Sequence, residues 1–170
     1  QLLHRKNWLH RPLHIISSNP HSVMNSLFAQ AALRETHEFE SVEAAARELS
    51  HPENEELRHL VEAFATEHGM YQLTDTSGTN LLVQIFDTTR LSEKILPKEI
   101  SWDFDYIRSE KPILLVMDYA FGEQAFEVMD ELLKPHVNGE ERIPLNVASI
   151  SIMGKAGILC GEKGDIMVPT

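Results

Sequence analysis

Residues 13–17 (LHIIS), 81–86 (LLVQIF), 112–117 (PILLVM) and 147–153 (VASISIM) are short apolar runs set between polar or turn-forming stretches. Runs of this length predict buried strands, the pattern of a mainly parallel sheet covered on both faces. Between them the period lengthens to that of a helix. Val23, Leu27, Ala31 and Leu33 predict a helix capped by Ser22, after a turn made by Ser18, Asn19, Pro20 and His21. Residues 42–49 predict a second helix. Leu57, Leu60, Val61 and Phe64 keep an i, i+3, i+4, i+7 stripe through a third, residues 53–67, which Gly69 stops.

Residues 70–79 read as a short extended piece and a turn, 87–98 as loop, and 102–108 as a short helix. Phe121, Ala125, Val128, Met129 and Leu132 give the helix expected over 123–133 one apolar face, and Pro135 ends it. Residues 136–144, with Asn138-Gly139, read as loop, and residues 1–12 form a basic and aromatic lead-in without a period. Strands alternating with helices predict an α/β fold of three layers, a mainly parallel sheet with helices on both faces and a helix-rich N-terminal portion. Ligands of such sheets bind outside the carboxyl ends of the strands, which selects the loops beginning at Ser17, Asp87, Asp118 and Gly154.

Charge narrows the partners. With 26 acidic residues against 15 Lys and Arg, the net charge of −11 argues against nucleic acid, whose binding relies on neutralising many phosphates. The acids concentrate in residues 35–67, so a small phosphate held by local donors elsewhere stays compatible with the composition. The longest unbroken apolar run, residues 113–117, is far short of a membrane span, and no secretory signal opens the chain. Cys160 is the single cysteine, which excludes an intrachain disulfide and points to a reducing, cytoplasmic compartment. No His pair has metal-ligand spacing, so no metal is expected.

Two strand-to-helix loops carry candidate chemistry. In Asp118-Tyr-Ala-Phe-Gly-Glu-Gln-Ala125 the helix N-terminus is an anion site that Gly122 allows a ligand to approach. Glu123 either satisfies that helix end or, as the candidate catalytic residue, hydrogen-bonds a sugar hydroxyl, activates water or stabilises a developing cation. In the 17–22 loop, Asn19, His21 and Ser22 either bind a substrate's polar edge or form a plain capped turn. A third signal closes the chain, where Gly154, Gly157, Gly161 and Gly164 fall between two extended runs. Glycine at such density serves tight turns or close approach of a ligand to the backbone.

The stretch "IMGKAGILCGEKGDIMVP" resembles the nucleoside phosphorylase superfamily, which includes purine nucleoside phosphorylases, methylthioadenosine-type nucleosidases and AMP nucleosidases. A central strand there ends in a Gly-x-Ala-Gly-Gly-Leu-like turn, and a Gly-Asp before apolar residues opens the next strand. Gly154, Ala156, Gly157, Leu159, Gly164, Asp165, Ile166 and Val168 occupy those places, with Ile158 where the family has its second glycine. "ILLVMDYAFGEQAFEVMDELLKP" fits the preceding strand, turn and helix, although its turn lacks the family's small residues. The resemblance spans residues 112–170 and implies two regions, a helix-rich α/β part over 1–111 and the first part of a phosphorylase-like α/β domain over 112–170.

The resemblance further implies cleavage of the N-glycosidic bond of a nucleoside or nucleotide, with inorganic phosphate as a possible co-substrate and no other cofactor. Gly154, Lys155, Ala156 and Gly157 would face that ligand, and the 154–157 turn would share one pocket with Glu123. A homo-oligomer is expected. The family's proton donor to the base lies beyond the matching segment, so a non-catalytic nucleotide sensor of the same fold is the alternative. An unrelated doubly wound domain for another phosphorylated ligand is a third reading; no Gly-x-Gly-x-x-Gly or Walker loop is present. Gln1 in place of an initiator Met, and the strand-like 165–168 with no helix after it, suggest a piece of a longer protein.

Overall fold

A computed structural model of the chain describes residues 1–74, 78, 80–119 and 123–153. In order, its elements are α1 (Leu2–Arg5), β1 (Leu13–Ser17), α2 (Pro20–Leu33), α3 (Val42–Leu49), α4 (Glu55–Glu67), β2 (Met70–Leu73), β3 (Val83–Asp87), α5 (Phe104–Glu110), β4 (Ile113–Met117), α6 (Glu123–Leu133), β5 (His136–Asn138), β6 (Glu141–Ile143) and β7 (Val147–Ile152). The main sheet has the order β2-β3-β4-β1-β7, so strands from both 1–111 and 112–170 build it. β1 is parallel to β4 on one side and to β7 on the other, whereas β3 is antiparallel to both β2 and β4. All strands of this sheet except β3 therefore point the same way.

Alternation along the strands sends side chains to two separate cores. Leu13 and Ile15 of β1 join Ile85, Ile113, Leu115 and Met117 on one face, under Leu2 and Leu3 of α1 and Val128, Met129 and Leu132 of α6. Ile16 turns the other way, to the face where Phe86 and Val116 meet α2, α3 and α4. Phe28 of α2 sits between Phe64 and Phe86 there, with ring centroids 6.2 and 6.1 Å away. Each such buried aliphatic or aromatic side chain stabilises the fold by about 1.5–3 kcal/mol relative to exposure. The result is the three-layer α/β architecture expected from the alternation of periods.

Several details differ from the sequence expectations. α2 begins at Pro20 rather than after Ser22, because Asn19 takes the cap and Pro20 fills the first helical position with its φ already set. Leu60 points to solvent, 52 % exposed, and the buried stripe of α4 runs through Val61 and Ala65. Residues 136–143, expected as loop, form a hairpin, β5-β6, whose turn is Gly139-Glu140, and Gly139 takes the positive φ that tight hairpin turns require. Among the described residues β7 is the last strand of the sheet and its residues after Val147 are exposed, although its sequence reads as a buried strand. Gly69 does stop α4, at φ +99, and a Cβ there would lie 2.9 Å from that of Arg90.

The direction of β3 corrects one further expectation. Its carboxyl end, Asp87, pairs with Ile113, the first residue of β4, so the Asp87 loop lies at the end of the sheet opposite the other three selected loops. There Asp87 Oδ1 accepts from Arg11 at 2.7 Å, and both side chains are largely buried. Arg11 also donates to the carbonyls of Lys111 and Pro112 and lies 5.0 Å from the centre of the Trp8 ring. Burial pushes the Asp87 carboxyl up, but the hydrogen bonds from Arg11 and Thr89 and the guanidinium charge outweigh it and hold the group below 3.8.

This pairing predicts a pH dependence. A carboxyl lowered by folding adds stability that is complete above its unfolded value and is lost as pH falls through the folded one. Asp87→Asn should cost about 2 kcal/mol in urea unfolding at neutral pH, and its deficit against the natural chain should shrink as pH falls below the ordinary aspartate range. A deficit that does not change with pH would mean that the Asp87 charge is not what stabilises this end of the sheet.

Candidate functional site

β4, β1 and β7 end level with one another, since Ser17 pairs with Met117 on one side and with Ile152 on the other. Backbone bonds carry the ladder just past the strand ends: Ser18 N donates to Met117 O at 2.9 Å and Met153 N to Ser17 O at 2.9 Å. Ser17 and Ser18 are both buried at this end. Beyond them the chain divides. α2 leaves β1 for the face it shares with α3 and α4, while α6 follows β4 onto the opposite face. Neighbouring parallel strands whose following helices take opposite faces leave a crevice between their loops, and ligands of open α/β sheets bind there.

The loop after β1 is organised by Asn19, whose side chain accepts from Ser22 N at 3.0 Å. His21 and Ser22 occupy the first turn of α2 and are exposed. Asn19 thus serves the helix with its carbonyl oxygen, which leaves its amide N–H groups as the donors it can present to a ligand. On the neighbouring strand, Asp118 Oδ1 accepts from Tyr119 N at 2.8 Å, and Asp118 N donates to Leu82 O at 2.9 Å. Glu123 is the first residue of α6, exposed, with its carboxylate at the positive end of the helix dipole.

Asn19, His21, Ser22 and Glu123 are therefore brought to one end of the sheet, as their positions after β1 and β4 require. Gly122, Gly154, Lys155, Ala156 and Gly157 lie outside the described residues, as do Cys160 and the 165–168 run. The described chain reaches Met153, whose N–H meets Ser17, so the strand that precedes residues 154–157 adjoins β1 directly. Sequence reasoning passed over Gln84, which is fully buried on β3 beside Val116, bonds Gln72 at 3.2 Å and keeps an unpartnered Oε1. Its signal was a single amide interrupting an otherwise apolar run. Among the described residues no three His, Cys, Asp or Glu side chains converge as for a metal ion, and no helix is long and apolar enough to cross a membrane.

The model of a family of unknown function, DUF6909, matches residues 44–170. The chain belongs to that family. No curated protein and no solved structure matches the chain. The DUF6909 match begins inside α3, so it includes β4, Glu123 and β7 and excludes β1 and the Asn19 cap. At this end of the sheet the DUF6909 member therefore sets a strand end outside the matched segment, that of β1, beside two within it, those of β4 and β7.

The cap assignment makes a direct prediction. Asn19→Ala should lower stability by about 1 kcal/mol in urea unfolding, whereas Ser22→Ala should change it by less than about 0.5 kcal/mol. The reverse order would return the helix start to Ser22.

Proposed function

We propose that the crevice at the carboxyl ends of β4, β1 and β7 binds a nucleoside or nucleotide and that its N-glycosidic bond is cleaved there. The observation carrying this reading is the level ending of those three strands with α2 and α6 leaving on opposite faces. The ligand class comes from the resemblance of residues 112–170 to the nucleoside phosphorylase superfamily. In this reading Gly122, Gly154, Ala156 and Gly157 allow the ligand to approach the backbone, and Lys155 meets a phosphate. Asn19, His21 and Ser22 offer an amide, an imidazole and a hydroxyl from the facing loop.

Cleavage breaks the bond between the ribose anomeric carbon and the base nitrogen. The base leaves with the bonding pair and takes up a proton, while the ribosyl group becomes cationic until water or inorganic phosphate adds. Glu123 supplies fixed negative charge beside the developing cation, or accepts the proton of the attacking water. A cytoplasmic location belongs to the same reading, with Cys160 kept as a thiol.

Incubation with AMP, adenosine and inosine, with and without phosphate, should release free base measurable by chromatography. Glu123→Gln should slow release by at least about tenfold while the melting temperature holds. Gly157→Val should abolish nucleoside binding in calorimetry with little loss of stability, because its side chain fills space reserved for the ligand. Saturable binding with no base released would identify a nucleotide sensor instead, and no binding at all would remove the nucleoside reading.

A further inference from the structure

A second group of polar side chains lies away from the crevice, on the sheet face that α2 and α5 share. His14, the second residue of β1, bonds Ser149 Oγ through Nδ1 at 2.7 Å and the Tyr106 hydroxyl through Nε2 at 3.2 Å. Ser149 precedes Ile152 by three residues, which puts it about 10 Å back along the strand from the crevice. The register that makes the first bond is irregular. Leu13 pairs with Val147 but His14 pairs with Ser149, so Ala148 bulges out and has no partner on β1. A regular ladder would have set Ala148 opposite His14. Bulges re-aim side chains in this way and are enriched beside active sites.

We propose that Ser149, His14 and Tyr106 form a nucleophile, base and orienting group, giving Ser149 reactivity towards activated esters independently of the nucleoside reading. A hydroxyl bonded to an imidazole whose other nitrogen is held by a third group is the general signature of an activated serine. Tyr106 is fixed in turn, because Asp103 caps α5 by accepting from Tyr106 N at 2.9 Å and its ring meets the His14 ring edge-on, 6.0 Å between centroids. With Nε2–H donated to the Tyr106 oxygen, Nδ1 is the acceptor for the Ser149 proton. Ser149 is exposed, so a substrate reaches it from solvent. Met153 N–H points to β1, and alternation along β7 turns the Ile150 N–H the other way, a backbone donor beside Ser149 that faces away from β1.

With an ester, Ser149 Oγ attacks the carbonyl carbon, its proton passes to His14 Nδ1, and the alcohol leaves with that proton, giving an acyl-serine that water hydrolyses. A fluorophosphonate probe reports the first half of this sequence: the Oγ–P bond forms, the P–F bond breaks, fluoride departs and the proton goes to His14. Treatment of the full chain should give one adduct, mapped to Ser149 by peptide mass spectrometry. His14→Gln should slow labelling by at least about tenfold, and Tyr106→Phe should slow it several-fold at an unchanged melting temperature. No adduct on Ser149, or equal labelling of the His14 variant, would overturn the proposal.

A second measurement stands if the His14 variant does not fold. Ser149→Cys should react with iodoacetamide at least about tenfold faster than Ser151→Cys, which sits on the same face and is also exposed. Equal rates for the two thiols would show that His14 activates nothing and that the bond is structural.

Discussion

Arg11 holds together the end of the sheet from which β1 and β4 start. One guanidinium reaches the Asp87 carboxylate at the end of β3, the Lys111 carbonyl just after α5 and the Pro112 carbonyl just before β4. Arg11 itself stands two residues before β1, so three strand ends and a helix terminus depend on one side chain. The arrangement also supports Lys111, which closes α5 in the left-handed conformation at φ 53. A pair this sheltered depends on further hydrogen bonds, and Thr89 adds two by donating to Asp87 Oδ1 from both its N–H and its hydroxyl.

That clamp separates the two ends of the sheet. The antiparallel course of β3 delivers Asp87 to Arg11, so the loop after β3 lies at the opposite end from the carboxyl ends of β1, β4 and β7. The same central strand serves the second polar group. β1 offers His14 and Ile16 to one face and Leu13 and Ile15 to the other, and its two neighbours β4 and β7 come from the part of the chain that DUF6909 covers. Both the β1 pairings and the His14–Ser149 contact thus join residues before position 44 to residues after it.

Much of the layering was legible in the sequence. Val42–Leu49 and Glu123–Leu133 occur where the periodicity places them, and the α/β class follows from alternating periods. Local ambiguity explains the misreadings at Asn19 and Ser22, since both residues are good caps and only the helix start decides between them. Asn138-Gly139 is a turn signal in a loop or a hairpin alike, and the short polar β5 and β6 around it carry no apolar alternation to tell the two apart. β7 differs because Ile150 and Ile152 look like core residues, yet as the last strand among the described residues it exposes both.

The sequence by itself determined which segments extend, which coil and which faces are apolar, because side-chain period is a local property that a few residues settle. It also placed Asn19, His21, Ser22 and Glu123 just beyond strand ends, where a loop-to-helix junction exposes polar groups. Tertiary structure alone decided that Asp87 turns away from those loops, that Arg11 meets it, and that Ala148 bulges so that Ser149 reaches His14. These outcomes depend on strand order, direction and register, which arise from the packing of residues far apart in the chain and leave no period in the sequence that could announce them.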